Sequence, residues 1–360
     1  MRAPIKTPRR NAFGVQTARH ALFVELTLAD GTTGWGEAFC NWPHFAALHR
    51  ARIVEDVLAP LVSDRGFFSP EHLWHQLAAK TASLSIQCAE PGPFHSAIAA
   101  VEIAAWNAVA QGQGRSLADI LGGGLSEPIA YASGLTGGTL ETTVPRLIEA
   151  GWTAFKLKVG FGRDQDEAAV GHLRQLVGPG ATIMVDANMA WDLPQAGEAV
   201  GWLADYDVRW IEEPISAEQP GDAWRRLADS SSVPLAAGEN HRGIEAFEAL
   251  IGAGIGIIQP DPVKWGGLSN LLRIARMCSG CNVTFAPHFL GGGVGLEATF
   301  ALAKASGAGF VEIDVTENPL RDAIWEPEHD GGAFPCFGSQ GAPDPARLAG
   351  FIDDQWHSRI

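Results

Sequence analysis

From about residue 129 onward the chain repeats one unit: a short apolar run, then a helical stretch, then another apolar run. The strand-like runs fall at 129–133, 154–159, 182–188, 208–214, 233–239, 255–261, 282–288 and 310–315. Helical patterns separate them, for example at 139–150, 163–177 and 194–204. Eight continuous apolar strands alternating with helices predict a parallel sheet covered on both sides, and that number fits a (β/α)8-type barrel better than a doubly wound sheet. The strand ends decide between the two. They read Lys156-Leu157-Lys158, Asp186-Ala187-Asn188, Glu212-Glu213-Pro214, Gly238-Glu239-Asn240, Pro260-Asp261, Pro287-His288 and Val311-Glu312. Barrel enzymes assemble their sites at the carboxyl ends of the strands, so seven strands deliver ionisable groups to one rim.

The first third has a different texture. Strand patterns at 21–28 and 32–39 flank the turn Asp30-Gly31, and helical patterns follow at 44–58, 70–82 and 94–111. Strands followed by helices predict an α+β module. The Leu121-Gly122-Gly123-Gly124 run marks its end. The expected division is an α+β cap over residues 1–125, a barrel over 126–320, and a C-terminal segment, 321–360, returning to the cap.

Composition narrows the partners. With 26 Lys+Arg against 41 Asp+Glu the formal charge is −15, which repels nucleic acid phosphates and anionic lipid. The longest uncharged run, 277–296, holds five Gly, Pro287, His288 and Asn282, so it reads as a strand and glycine loop and not a membrane span. Arg2, Lys6, Arg9 and Arg10 are followed by no apolar core, so no signal peptide is expected. Five scattered cysteines point to reduced thiols and a cytoplasmic location. Cys278-Ser-Gly-Cys281 matches a redox spacing but has no second pair for zinc, and is read as structural.

Asp186, Glu212 and Glu239 close three neighbouring strands, and three carboxylates at one rim repel each other without a counter-charge. An oxygen-only donor set suits Mg²⁺. Glu213, next to Glu212, is expected to point to the opposite side. Lys156 and Lys158 are two apart, hence on one face, and two ammonium groups there are expected to depress each other toward the range of a general base. His288 and Asp261 end adjacent strands, and a carboxylate on one ring nitrogen fixes the tautomer of the other. Glu312, with a raised pKa, would donate a hydrogen bond to a developing oxyanion. Together these groups suit removal of a proton from the carbon next to a carboxylate, for which a Lys or His base with Mg²⁺ is the known enolase-type pattern.

The ordered set Lys156-Leu157-Lys158, Val185-Asp186-Ala187-Asn188, Trp210-Ile211-Glu212-Glu213-Pro214, Gly238-Glu239-Asn240, Asp261 to Gly267, His288 and Glu312 resembles the mandelate racemase subgroup of the enolase superfamily. The resemblance implies a modified TIM barrel, (β/α)7β, with an α+β capping domain. It also implies Mg²⁺ on Asp186, Glu212 and Glu239, Lys158 as the base on one substrate face, and the His288–Asp261 dyad on the other. Glu312 would face the substrate carboxylate. Muconate-lactonising relatives carry a lysine where Asp261 stands, and Lys264 lies three residues too late to replace it. Only Arg2–Thr7 precede the basic Arg9-Arg10 pair, so the first cap strand is expected to be short. Cap loops at 8–18 and 40–49 would select the substrate, with Arg19, Trp42 and His44, plus Asn188 on the barrel, as candidate contacts.

The expected substrate is a small-molecule carboxylate, handled by a homo-oligomer. Dehydration of an acid sugar is the leading expectation and racemisation or epimerisation of a 2-hydroxy acid the alternative. A nicotinamide oxidoreductase rests only on Gly293-Val294-Gly295-Leu296-Glu297-Ala298, and a non-catalytic metal-binding scaffold requires lost catalytic positions.

Overall fold

The computed structural model describes residues 1–11, 14–63, 65–124, 127–324, 343 and 345–351. Among these, eight strands form one parallel sheet: β5 (Ile129–Leu135), β6 (Ala154–Lys158), β7 (Thr182–Asp186), β8 (Val208–Glu212), β9 (Leu235–Ala237), β10 (Ile257–Ile258), β11 (Thr284–Phe285) and β12 (Phe310–Asp314). Their order is β11-β10-β9-β8-β7-β6-β5-β12, so the last strand lies beside the first and the sheet curls into a nearly closed barrel. Seven helices fill the intervals: α6 (Leu140–Glu149), α7 (Arg163–Val177), α8 (Leu193–Leu203), α9 (Gly221–Ser230), α10 (Ile244–Gly252), α11 (Gly267–Gly280) and α12 (Gly293–Ser306). That is the (β/α)7β form of the modified TIM barrel.

The barrel floor explains where its chemistry sits. Tyr131, Ala154, Met184, Trp210, Ala236, Ile257, Ala286 and Phe310 form one buried cluster, with large and small side chains interleaved. Trp210 meets Tyr131 and Phe310 edge-on at 5.6 and 5.2 Å. Side chains two apart on a strand share a face, so the layer above this plug comes from Ser133, Lys156, Asp186, Glu212, Gln259, His288 and Glu312. All seven are buried. An apolar plug under a polar layer is written into the sequence at a spacing of two.

β9, β10 and β11 are shorter than their apolar runs. Pro260 and Pro287 have no N–H for the ladder. Gly238 at φ +148° lies so close to β10 that a Cβ would meet Gln259 backbone at 2.7 Å.

The N-terminal layer pairs β1 (Arg2–Asn11) with β2 (Gly14–His20) and β3 (Leu22–Thr27) with β4 (Thr33–Ala38), both antiparallel. β1 has ten residues, which overturns the expectation of a short first strand; a register shift between Pro4 and Arg9 absorbs Pro8. Most of 8–18 is therefore hairpin strand and not a loop. The helices are α1 (Ala46–Arg52) and α2 (Ala59–Val62), joined by a π-helical turn, then α3 (Pro70–Gln87), α4 (Pro91–Gly112) and α5 (Leu117–Leu121). Gly34 and Gly36 alternate on the face of β4 that meets α4; a Cβ at either would run into the backbone of Ala100, Ala104 or Ala108. Those alanines are themselves buried, and strand and helix touch backbone to backbone. After β12 the chain forms α13 (Pro319–Asp322) and α14 (Pro345–Leu348), and Phe351 packs against Ala3, Ala21 and Leu320.

Two buried acids of this layer reach the barrel. Glu37 accepts from the N–H groups of Gly292 (2.5 Å) and Gly295 (2.7 Å) at the start of α12. Glu102 accepts from Leu268 (2.9 Å) and Ser269 (3.0 Å) at the start of α11. The Gly292 and Gly295 amides at this glycine turn are thus taken by Glu37, and the turn follows a strand of the barrel, with no doubly wound sheet among the described residues, which removes the basis of the nicotinamide reading. Cys278 is buried and Cys281 exposed, both free thiols. No helix among the described residues is long and apolar enough to cross a membrane.

Candidate active site

Strand register brings the ionisable ends level. Lys158 pairs with Asp186 across β6 and β7, and Asp186 with Glu212 across β7 and β8. Glu239 follows two residues after β9, Asp261 three after β10 and His288 three after β11. Each acid meets a base. Lys156 Nζ lies 2.7 and 2.9 Å from the two oxygens of Glu212 and 2.8 Å from Glu312 Oε1. Lys158 Nζ is bonded to Asp186 Oδ2. His288 Nδ1 is 2.7 Å from Asp261 Oδ2, while its Nε2 contacts Glu239 and lies 3.8 Å from Glu312 Oε2. Asp261 is itself aimed by the N–H groups of Val263 (2.9 Å) and Lys264 (3.1 Å).

The electrostatics differ from the expectation in two places. Lys156 does lower Lys158, but neighbouring acids outweigh that repulsion, so neither lysine ends up depressed. Burial lowers Lys156, but Glu212 and Glu312 carry it well above the ordinary range, and Asp186 does the same to Lys158 to a smaller degree. Glu312 was expected to be raised; burial pushes it that way, yet Lys156 and His288 hold it down to about 2. For His288 burial is outweighed by Glu239, Glu312 and Asp261, which take it up to about 10. Glu212 remains raised to about 7, chiefly by burial.

Glu213 is a third departure. It does not turn away: it accepts from Asn240 Nδ2 at 3.0 and 2.8 Å, and the same amide reaches Glu239 Oε1 at 2.9 Å. Lys264 Nζ lies 3.5 Å from Glu239 Oε1, and Gln259 Nε2 donates to Glu212 Oε2 at 2.8 Å. Tyr131 donates to Glu312 at 3.2 Å. Gln259 and Tyr131 were legible in principle, because each lies two residues from another inward position.

The cap candidates divide. Arg19 is 1% exposed and committed to Asp314 Oδ2 at 2.7 Å and to the carbonyl of Glu317 at 3.0 Å. It ties β2 to the end of β12, and this corrects its assignment as a substrate contact. Trp42 lines a cavity of about 260 Å³ between cap and barrel that includes Glu239 and Lys264. His44 is exposed, with its ring 5.6 Å from that of Trp42. Asn188 is turned toward Asp186, donating to it from the backbone at 2.7 Å and from Nδ2 at 3.2 Å.

Asp186, Glu212, Glu213, Glu239, Asp261 and Glu312 are six buried carboxyl groups facing Lys156, Lys158, Lys264 and His288. Negative groups are in surplus, and the donors are oxygens, the chemistry that a hard divalent cation fits. No three acidic, His or Cys side chains among the described residues stand together as a ready cage. The reason is visible: Asp186, Glu212 and Glu239 each bond Lys158, Lys156 or His288.

Comparison with known proteins agrees with this architecture. Residues 1–122 match the family described as mandelate racemase / muconate lactonizing enzyme, N-terminal domain, and residues 139–336 match enolase C-terminal domain-like. A solved mandelate racemase/muconate lactonizing enzyme from Bordetella bronchiseptica RB50 is 39% identical, with 93% of this chain and 95% of that one covered and a TM-score of 0.88. A Bradyrhizobium enolase complexed with magnesium and mandelic acid is 28% identical (97% and 95% covered, TM-score 0.84). D-galactarolactone cycloisomerase of Agrobacterium fabrum is 29% identical over 89% of this chain and 86% of its own. Arabinonate dehydratase of Saccharolobus solfataricus is 25% identical over 84% and 81%. The two matched segments together span almost the whole polypeptide, and they make this chain an enzyme of the enolase superfamily, in its mandelate racemase subgroup.

Proposed function

We propose that the protein removes the proton next to a substrate carboxylate and then expels a hydroxyl group from the neighbouring carbon, dehydrating an acid sugar to a 2-keto acid. One observation carries this reading: Lys158 from β6 and the His288–Asp261 dyad beyond β11 both converge on the same trio of buried acids. Asp186, Glu212 and Glu239 would hold Mg²⁺, as the oxygen-only set and the surplus of acids favour. Bound there, the ion supplies positive charge to the substrate carboxylate as negative charge builds on it.

The remaining work falls to the chain. Lys158, without its proton, takes the α-hydrogen; an Asp186 that held the cation would no longer stabilise the ammonium form of its neighbour. The C–H electron pair passes into the carboxylate, giving an enediolate. As that pair returns, the C–O bond on the next carbon breaks, and His288 supplies the proton with which the hydroxyl leaves as water. The enol then becomes the 2-keto acid. Asp261 holds the imidazole by its Nδ1 side, leaving Nε2 toward the substrate. Lys156 pins Glu212 and Glu312, and Asn188 orients Asp186. The same parts racemise a 2-hydroxy acid when no hydroxyl leaves and His288 returns the proton from the other face. The cap (1–125), barrel (126–320) and C-terminal segment (321–360) are proposed as the working units; residues 325–342, 344 and 352–360 lie outside the described residues, and of the last unit Phe351 packs against Ala3 and Leu320.

The test is incubation with Mg²⁺ and a panel of aldonic and aldaric acids, assayed for 2-keto products. Deuterium exchange at C2 without keto acid assigns the racemase instead. Lys158→Ala should abolish exchange at C2 and His288→Ala should abolish keto-acid formation, in both cases with Mg²⁺ affinity persisting; unchanged keto-acid formation in both variants removes the proposal, and no exchange or product with any of the acids leaves the scaffold reading.

A further inference from the structure

The strip of chain that follows His288 is gripped from outside the barrel wall. Glu37, near the end of β4, accepts from the N–H groups of Gly292 and Gly295. Asn41, three residues beyond that strand, donates from Nδ2 to the carbonyl of Leu290 at 2.6 Å. Asn318, beyond β12, donates to the carbonyl of Gly291 at 2.7 Å. Glu37, Asn41 and Asn318 are all buried, so residues 290–292 are each fixed by an interior side chain of another segment. The approach leaves no slack: a Cβ on Gly291 would lie 2.7 Å from Glu37 Oε1, and one on Gly292 2.9 Å from Phe23. The glycine run is what lets the cap strand come this close.

His288 stands at the head of this strip, four residues before Gly292. Its own N–H donates to the carbonyl of Pro260 at 3.1 Å and its Nδ1 meets Asp261, so the barrel fixes one side of it and the cap the other. The second catalytic arm has no such dependence. Lys158 bonds Asp186, the Val159 N–H donates to the Asp186 carbonyl at 2.9 Å, and the N–H groups of Gly160 and Phe161 go to Asp166 at 2.9 and 3.1 Å. Among the described residues, these partners all belong to the barrel.

We propose that Glu37 and Asn41 are positioning residues for His288. By holding the Leu290 carbonyl and the Gly292 and Gly295 amides, they set where the imidazole delivers its proton. The cap then governs the proton-donor half of the reaction, and the barrel alone governs abstraction by Lys158. Glu37 touches no reacting atom and acts only through the imidazole it aims. This inference rests on the proposed roles of Lys158 and His288 for its effect on turnover, but not for the placement of the ring.

The acid that the panel identifies is supplied to the Mg²⁺-loaded protein in deuterated water, and C2 exchange is read beside keto acid (or racemised acid). Glu37→Gln keeps the volume but turns an N–H toward one of the two amides. It should lower kcat for product roughly 10- to 100-fold, the cost of a proton donor displaced by about 1 Å, with KM and C2 exchange little changed. Asn41→Ala should do the same, and it carries the test should the glutamine variant fail to fold. Added to His288→Ala, Glu37→Gln should cost nothing further, because it acts through that imidazole. Arg19→Met, which frees the cap at β12, should leave the ratio of exchange to product as in the wild-type chain. An equal fall in exchange and product, a raised KM at unchanged kcat, or no change in either cap variant overturns the inference. Nitrogen-15 NMR of histidine-labelled protein reads the same point without turnover. The resonances missing from His288→Ala should shift in both cap variants and stay in place in Arg19→Met; unmoved resonances overturn the positioning role. Those shifts without exchange or product in the wild-type chain uphold the positioning role and overturn the α-proton chemistry.

Discussion

Replacing Glu102 by glutamine separates charge from shape at the cap–barrel junction. The Glu102 side chain is fully buried and accepts from Leu268 N (2.9 Å), Ser269 N (3.0 Å), Ser269 Oγ (2.5 Å) and Trp106 Nε1 (2.9 Å). Burial raises its carboxyl from 4.5 to about 7, despite donors that favour the charged form. Between those values the folded chain keeps a proton that the unfolded chain has released. The stability contributed by that proton is complete below about 4.5 and is lost as pH climbs through about 7. The gap corresponds to about 3 kcal/mol in total, of which roughly 2–3 kcal/mol falls between pH 5 and pH 8. Glutamine keeps the volume and does not titrate. It costs about 1–3 kcal/mol for a mismatched acceptor at any pH. Urea unfolding followed by tryptophan fluorescence at pH 5 and pH 8 reads both quantities. The wild-type chain should lose about 2–3 kcal/mol more than Glu102→Gln across that interval. Parallel losses, or a larger loss in the variant, would refute the reasoning.

Gly36→Ala drives a methyl group into the backbone of α4 and should cost about 2 kcal/mol, seen as a lower urea midpoint; an unchanged midpoint denies the close approach. Arg19→Met strips Asp314 of its 2.7 Å partner and should destabilise by about 3 kcal/mol while leaving KM unaltered, whereas a raised KM would restore Arg19 as a substrate contact. Trp210→Ala empties the centre of the barrel plug and should cost about 3–5 kcal/mol in thermal or chemical unfolding. Chelation should abolish turnover with the far-ultraviolet circular dichroism preserved, and added Mg²⁺ should restore it; full activity in excess chelator contradicts the metal assignment.

The polar rim was readable because strands carry a period of two. Once Met184, Trp210 and Phe310 are placed inward, Asp186, Glu212 and Glu312 must follow on the same face. What each acid would touch was not readable. Lys156 reaches Glu212 and Glu312 from different strands, and that triangle, which reverses the expected pKa direction of Glu312, exists only after the sheet closes. Glu213 was misplaced because strict alternation fails where β8 ends: the residue adopts φ +41° and turns back toward Asn240. Glu37 carried no sequence signal of a part in catalysis. An acid near the end of a cap strand looks like an ordinary surface group, and only the packing of β4 on the turn after His288 shows which amides its oxygens answer.

Glu37 and Glu102 close the first turns of two successive barrel helices, and the first of these turns lies directly after His288. A barrel cut free of its N-terminal third would start α11 and α12 on bare amides. Chimeras that graft a new specificity lid onto this scaffold will therefore keep a working rim only when the incoming lid carries acids at both places. Lid and catalytic half are, in that sense, inherited as one piece.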